Sequence, residues 1–100
     1  MNRRTRAVAL QRALRSLMPE ADVSIIHERP WHSLTFGGTQ VCFSVAMNAG
    51  TMWDVPGLSA KLAEVEFCLP RQIVADISVA RAVVAKGAHY LMIDALLLDD

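Results

Sequence analysis

Two imidazoles, a carboxylate, a guanidinium and an indole stand within six residues at His27-Glu28-Arg29-Pro30-Trp31-His32. Histidine changes charge near neutral pH and ligates metals, so this cluster could serve general acid/base chemistry or hold an ion. The candidate metal ligands of the whole chain are His27, His32, His89, Cys42 and Cys68. Along an extended strand the five steps from His27 to His32 cover about 16 Å, too far for one ion unless Arg29-Pro30 turns sharply. No Cys-x-x-Cys or His-Glu-x-x-His spacing occurs, and the sequence points to no metal and no cofactor. What remains is an acid/base pairing of His32 or His27 with Glu28, or a partner-binding surface made by Trp31, Arg29 and His32.

These side chains need elements to hold them. Ala7, Leu10, Leu14 and Leu17 recur at helical spacing with Arg4, Arg12 and Arg15 opposite, which predicts a helix over 4–18 that Pro19 ends. Residues 23–36 are rich in β-branched and aromatic types, and 40–47 alternate Val41, Phe43, Val45 and Met47 with smaller or polar neighbours. With Gly37-Gly38 as a two-residue turn, these form a β-hairpin. Pro30 donates no hydrogen bond, so the first arm is an edge strand or carries a bulge near Arg29-Pro30. That register sets His32 opposite Phe43 on the face of Leu34, Val41 and Val45, half-buried and open to pKa tuning. The blander role there is a core-edge histidine bonded to a backbone carbonyl. Trp31 falls opposite Ser44, on the face of Ser33 and Cys42.

Asn48 to Trp53 reads as a loop, and Asp54 as the cap of a short helix over 56–65. Residues 73–85 fit either period. Their β-branched content favours a strand, which Lys86-Gly87 turns into a last strand over 88–98, with 66–70 as connector. The expected class is α+β, in the order α-β-β-α-β-β, with two helices on one face of a four-stranded antiparallel sheet. Leu10, Leu14 and Leu17 recur in pattern as Leu58, Leu62 and Val65, consistent with one helix-hairpin unit used twice, over 4–48 and 54–98, or with coincidence.

Asp94 interrupts an otherwise apolar last strand. A Lys86-Gly87 turn pairs Val79 with Asp94 and Arg81 with Met92, making Arg81 and Asp94 diagonal neighbours and a structural ion pair. The same strand is apolar on both faces, and a homodimer through the open sheet face is the simplest cover. Of the nucleophiles, Cys42 and Cys68 read first as small hydrophobes, and no glycine-rich phosphate loop is present.

Composition narrows the class. One hundred residues make one domain, and the 53% hydrophobic content is high for a small monomer. No apolar run approaches a bilayer span, and two cysteines without a signal-like N-terminus suggest a reduced, cytoplasmic protein. Residues 1–50 carry six arginines against three acids, residues 51–100 four cations against seven acids. The basic head and acidic tail can attract one another. Five arginines before Glu20 would suit an anionic partner, but the acidic second half argues against nucleic acid.

Glu66-Phe67-Cys68-Leu69-Pro70, Ile73-Val74-Ala75-Asp76-Ile77-Ser78-Val79 and Ile93-Asp94-Ala95-Leu96 give the last third of the chain a resemblance to small alphaproteobacterial proteins of unknown function. It implies no activity. The functional expectation is a self-associating, non-catalytic module that binds a protein partner. The alternatives are a small-molecule pocket between helices and sheet near His32, Phe43 and Met47, and an acid/base enzyme.

Overall fold

The computed structural model describes residues 6–47 and 54–99. In chain order it contains α1 (Val8–Leu17), β1 (Asp22–His32), β2 (Gly37–Met47), α2 (Val55–Glu64), β3 (Gln72–Ala85) and β4 (Ala88–Asp99). The strands form one antiparallel sheet in the order β1-β2-β4-β3, with α1 against β1 and α2 against β3. This is the α+β architecture expected. The loop expected at Asn48 to Trp53 and the first residues of the expected first helix lie outside the described residues.

The core forms where helical and strand periodicities meet. Leu10 and Leu14 from α1 and Leu62 from α2 close over Val23, Phe43, Val45, Leu91, Ile93 and Leu97, all excluded from solvent. Burying side chains of this size is worth about 1.5–3 kcal/mol each, which holds both helices on one face. The backbone N–H of Met18 still bonds to the Leu14 carbonyl at 2.9 Å before Pro19 takes the chain away. Asp54 starts α2 by accepting from the Gly57 N–H at 3.2 Å, the cap read from sequence.

The two hairpins turn differently. Between β3 and β4, Lys86 and Gly87 both take positive φ, 50° and 77°, the mirror-image turn that matches strand twist. Between β1 and β2 the turn is Ser33 to Phe36 and not Gly37-Gly38. The Ser33 hydroxyl accepts from the backbone N–H of Thr35 and of Phe36, and the Ser33 N–H donates to the Phe36 carbonyl at 2.8 Å. Gly37 and Gly38 belong to β2, opposite His32 and Trp31. Gly38 is required by proximity, because a Cβ there would collide with the Leu97 carbonyl oxygen.

The central strands β2 and β4 pair antiparallel, Phe43 with Ile93, Ser44 with Met92 and Val45 with Leu91, and β1 and β3 form the two edges of the sheet.

Candidate functional site

A bulge at Ile26 decides which face the His27–His32 cluster serves. Register is continuous up to Ile25 opposite Phe43, then skips so that His27 faces Cys42. Strict alternation from Val23 would put His27, Arg29 and Trp31 beneath the helices. The extra residue sends them to the open face and turns Glu28, Pro30 and His32 towards the helical side. The bulge thus lies four residues before Pro30, while Pro30 itself sits in an edge strand as expected.

Glu28 consequently belongs to the scaffold. Its Oε1 accepts the backbone N–H of Ala7 at 3.1 Å, at the start of α1, where the helix has no side-chain cap of its own and no acid in its first turn. A carboxylate there satisfies an orphan donor and complements the helix dipole. His27 and Glu28 point to opposite faces and cannot share a proton.

His32 is exposed at the end of β1, opposite Gly37, and not half-buried opposite Phe43. Its Nδ1 lies 3.6 Å from where a Cβ on Gly37 would be, with the Asp99 carboxylate on the same side at 3.8 Å. Asp99 is paired with Arg6, so the basic head and acidic tail meet within the chain. Gln72 donates to the Arg6 carbonyl at 2.8 Å and fastens the same corner. Phe43 is fully buried in the core between helices and sheet, whereas His32 is exposed at the end of its strand, so the two do not line a common surface.

The open face brings other residues together. Across the four strands, His27, Cys42, Asp94 and Ser78 form one row, and Arg29, Gln40, Leu96 and Asp76 the next. A groove lies over them, lined by His27, Arg29, Gln40, Asp76, Asp94 and Leu96. Arg29 reaches Gln40 Oε1 at 3.4 Å. The β1 side of the groove is basic and the β3–β4 side acidic. Trp31 shares this face opposite Gly38, so Arg29 and Trp31 stand on one face while His32 is separated from them.

The His27–Cys42 juxtaposition invites a nucleophile reading, but the thiol is tuned the wrong way. Burial, then the neighbouring Asp94 carboxylate, push the Cys42 thiol up, with Arg81 opposing. A nucleophilic cysteine needs the reverse shift. Among the described residues, no three His, Cys, Asp or Glu side chains gather as metal ligands.

Arg81 pairs with Met92 as the sequence predicts, but Asp94 faces Ser78 and not Val79, because a second bulge at Ala80 takes up one residue. Arg81 and Asp94 share the open face without forming an ion pair; the Arg6–Asp99 contact is the one salt bridge among the described residues. Asp94 is exposed and solvated, so it needs no partner. Gln40 and Asp76 went unread in the sequence, because only the strand register sets them beside Arg29.

Compared with protein families, curated proteins and solved structures, the chain matches none.

Proposed function

We propose that this protein is a non-catalytic interaction module that self-associates as a homodimer and binds a protein partner. The observation that carries the reading is the β3 edge. β3 is 14 residues long and lies at the margin of the sheet, with Ile73, Val83 and Val84 exposed by 49%, 38% and 68%. An exposed apolar edge strand is a template for another chain, and proteins that do not use one usually blunt it. Arg29 and Trp31 on the open face supply side chains of the kind that anchor protein interfaces. Two free thiols, Cys42 and Cys68, suit a reduced, cytoplasmic setting.

Sedimentation equilibrium over a concentration series tests self-association: a dimer at low micromolar concentration is expected, and a monomer at high micromolar concentration overturns it. The groove over His27, Arg29, Asp76 and Asp94 favours a second reading, a small polar ligand with both charges. Loss of such a ligand on Arg29→Ala, in a dimer that stays intact, would separate the two. The acid/base enzyme has no comparable support, since His27, Glu28 and His32 are set apart.

A further inference from the structure

We propose that two copies of this chain pair through β3 in an antiparallel ladder whose twofold axis passes through Ser78, joining the two sheets into one of eight strands. This rests on the self-association reading and names its surface and register.

The argument begins with what the β3 edge leaves unsatisfied. Its inner side pairs with β4 along its whole length, and its outer side is bridged at Gln72 by Leu69, with no further strand beside it among the described residues. From Ile73 to Ala85 the sequence holds two charged side chains, Asp76 and Arg81. Both are exposed, and neither has an ion-pair partner among the described residues.

The bulges at Ala75 and Ala80 decide how a second copy can fit. They place Ile73, Asp76, Ser78, Arg81 and Val83 on the open face, and Val74, Ile77, Val79, Ala82 and Val84 on the helical face. Without the bulge at Ala80, Asp76 and Arg81 would lie on opposite faces. A residue in a ladder stands opposite one on its own face, so only registers that preserve this division are allowed.

Centred on Ser78, with the bulged alanines unpaired, the ladder sets Asp76 against Arg81 of the second copy. Ile77 then meets Val79, Val74 meets Ala82 and Ile73 meets Val83. Both ion pairs form at once by symmetry, Ser78 meets its own copy on the axis, and every other pair out to Ile73 is apolar. Centring on Asp76 or Arg81 opposes like charges, and centring on Ile77 or Val79 sets both charges against uncharged residues. Opposite charges directly across strands stabilise and like charges destabilise, so charge selects one register. A groove along the first half of the same edge, lined by Leu62, Val65, Phe67, Ile73, Val74 and Ile77, offers apolar surface to the incoming copy.

The test is a charge swap read by sedimentation, with a covalent check. Arg81→Asp should weaken the dimer by about tenfold or more, and Asp76→Arg with Arg81→Asp should restore it. In a Cys68→Ser background, Ser78→Cys should give a disulfide-linked dimer under mild oxidation, because only residues near the axis meet their own copies. Ser24→Cys, on the same face of β1, should not. A wild type that stays monomeric at high micromolar concentration overturns this register and self-association together. A dimer that ignores both charge reversals and leaves Ser78→Cys unlinked overturns the β3 ladder alone. Since Arg81 and Ser78 are exposed, the variants should keep the native circular dichroism, and the cross-link remains decisive if one does not.

Discussion

The two edge strands of this sheet are finished in opposite ways. β1 is closed. Pro30 removes a donor, the Ile26 bulge twists the strand, and the Val23 carbonyl is taken by Gln11 at 2.8 Å and Arg15 at 3.4 Å from α1. Glu28 returns the contact by bonding to the Ala7 N–H at the start of the same helix. β3 has no proline, and α2 makes no side-chain hydrogen bond to it among the described residues. Bulges alone do not close an edge whose side chains are small and apolar. The comparison teaches where a second chain can add: a helix that spends side chains on its strand seals that edge, and a helix that only packs leaves it available.

The largest test of this difference breaks the sealed side. Leu14 is fully buried in the face α1 presents to the sheet, and Leu14→Ala should cost about 2–5 kcal/mol in urea denaturation. The loss should loosen α1 and uncover β1, so the variant should aggregate more readily than the wild type. If the β1 edge stays silent when α1 is weakened, the helix is not what protects it.

A smaller perturbation removes one bond from the seal. Glu28→Ala should lower stability by about 1 kcal/mol, the usual cost of losing a helix cap. Glu28→Gln keeps an acceptor and should recover part of it. Equal losses in the two variants would mean that charge at the helix start matters more than the hydrogen bond.

The asymmetry between edges was only partly legible in the sequence, for a physical reason. Periodicity identified both helices, β-branched content favoured the strand over 73–85 where the period was ambiguous, and Lys86-Gly87 marked the turn. A bulge leaves that periodicity almost unchanged yet inverts every residue beyond it. The residue skipped at Ile26 put His27 on the open face, paired Trp31 there with Gly38 and not Ser44, and made Glu28 a helix cap; the one at Ala80 set Asp94 against Ser78. The Ser33–Phe36 turn was hidden similarly, since Gly37-Gly38 is the stronger turn signal, whereas Gly38 is demanded by the Leu97 carbonyl on the neighbouring β4. Edge position was legible through Pro30, because a missing donor is local chemistry. The candidate site was not, because its rows are made by register.

At the open edge the expected effect on stability is smaller still. Val83→Lys with Val84→Lys places two charges at exposed edge positions, and should change the unfolding free energy of the monomer by less than about 0.5 kcal/mol. The same pair should depress self-association, since Val83 faces Ile73 of the second copy in the β3 ladder and lysine is a natural edge blocker. A large loss of monomer stability would show that the β3–β4 arm is part of the core and not a docking edge.

The smallest effect lies at the centre of the sheet, where Cys42 on β2 reports on both edges. Burial raises its thiol pKa above the ordinary value, so the folded state keeps the proton longer than the unfolded chain does. The associated stability is fully present below the unfolded thiol value, about 8.5, and is lost as pH rises through the folded value. Unfolding free energy should therefore fall gently above that pH, and Cys42→Ser should flatten this slope while Cys68→Ser, at an exposed thiol, should not. Alkylation gives the matching kinetic readout: Cys68 should react at once and Cys42 only as the sheet opens. Glu28→Ala should then speed the reaction of Cys42, because it loosens the α1 seal over the hairpin that carries the thiol. Val83→Lys with Val84→Lys should leave that rate unchanged, because the β3 edge is open already.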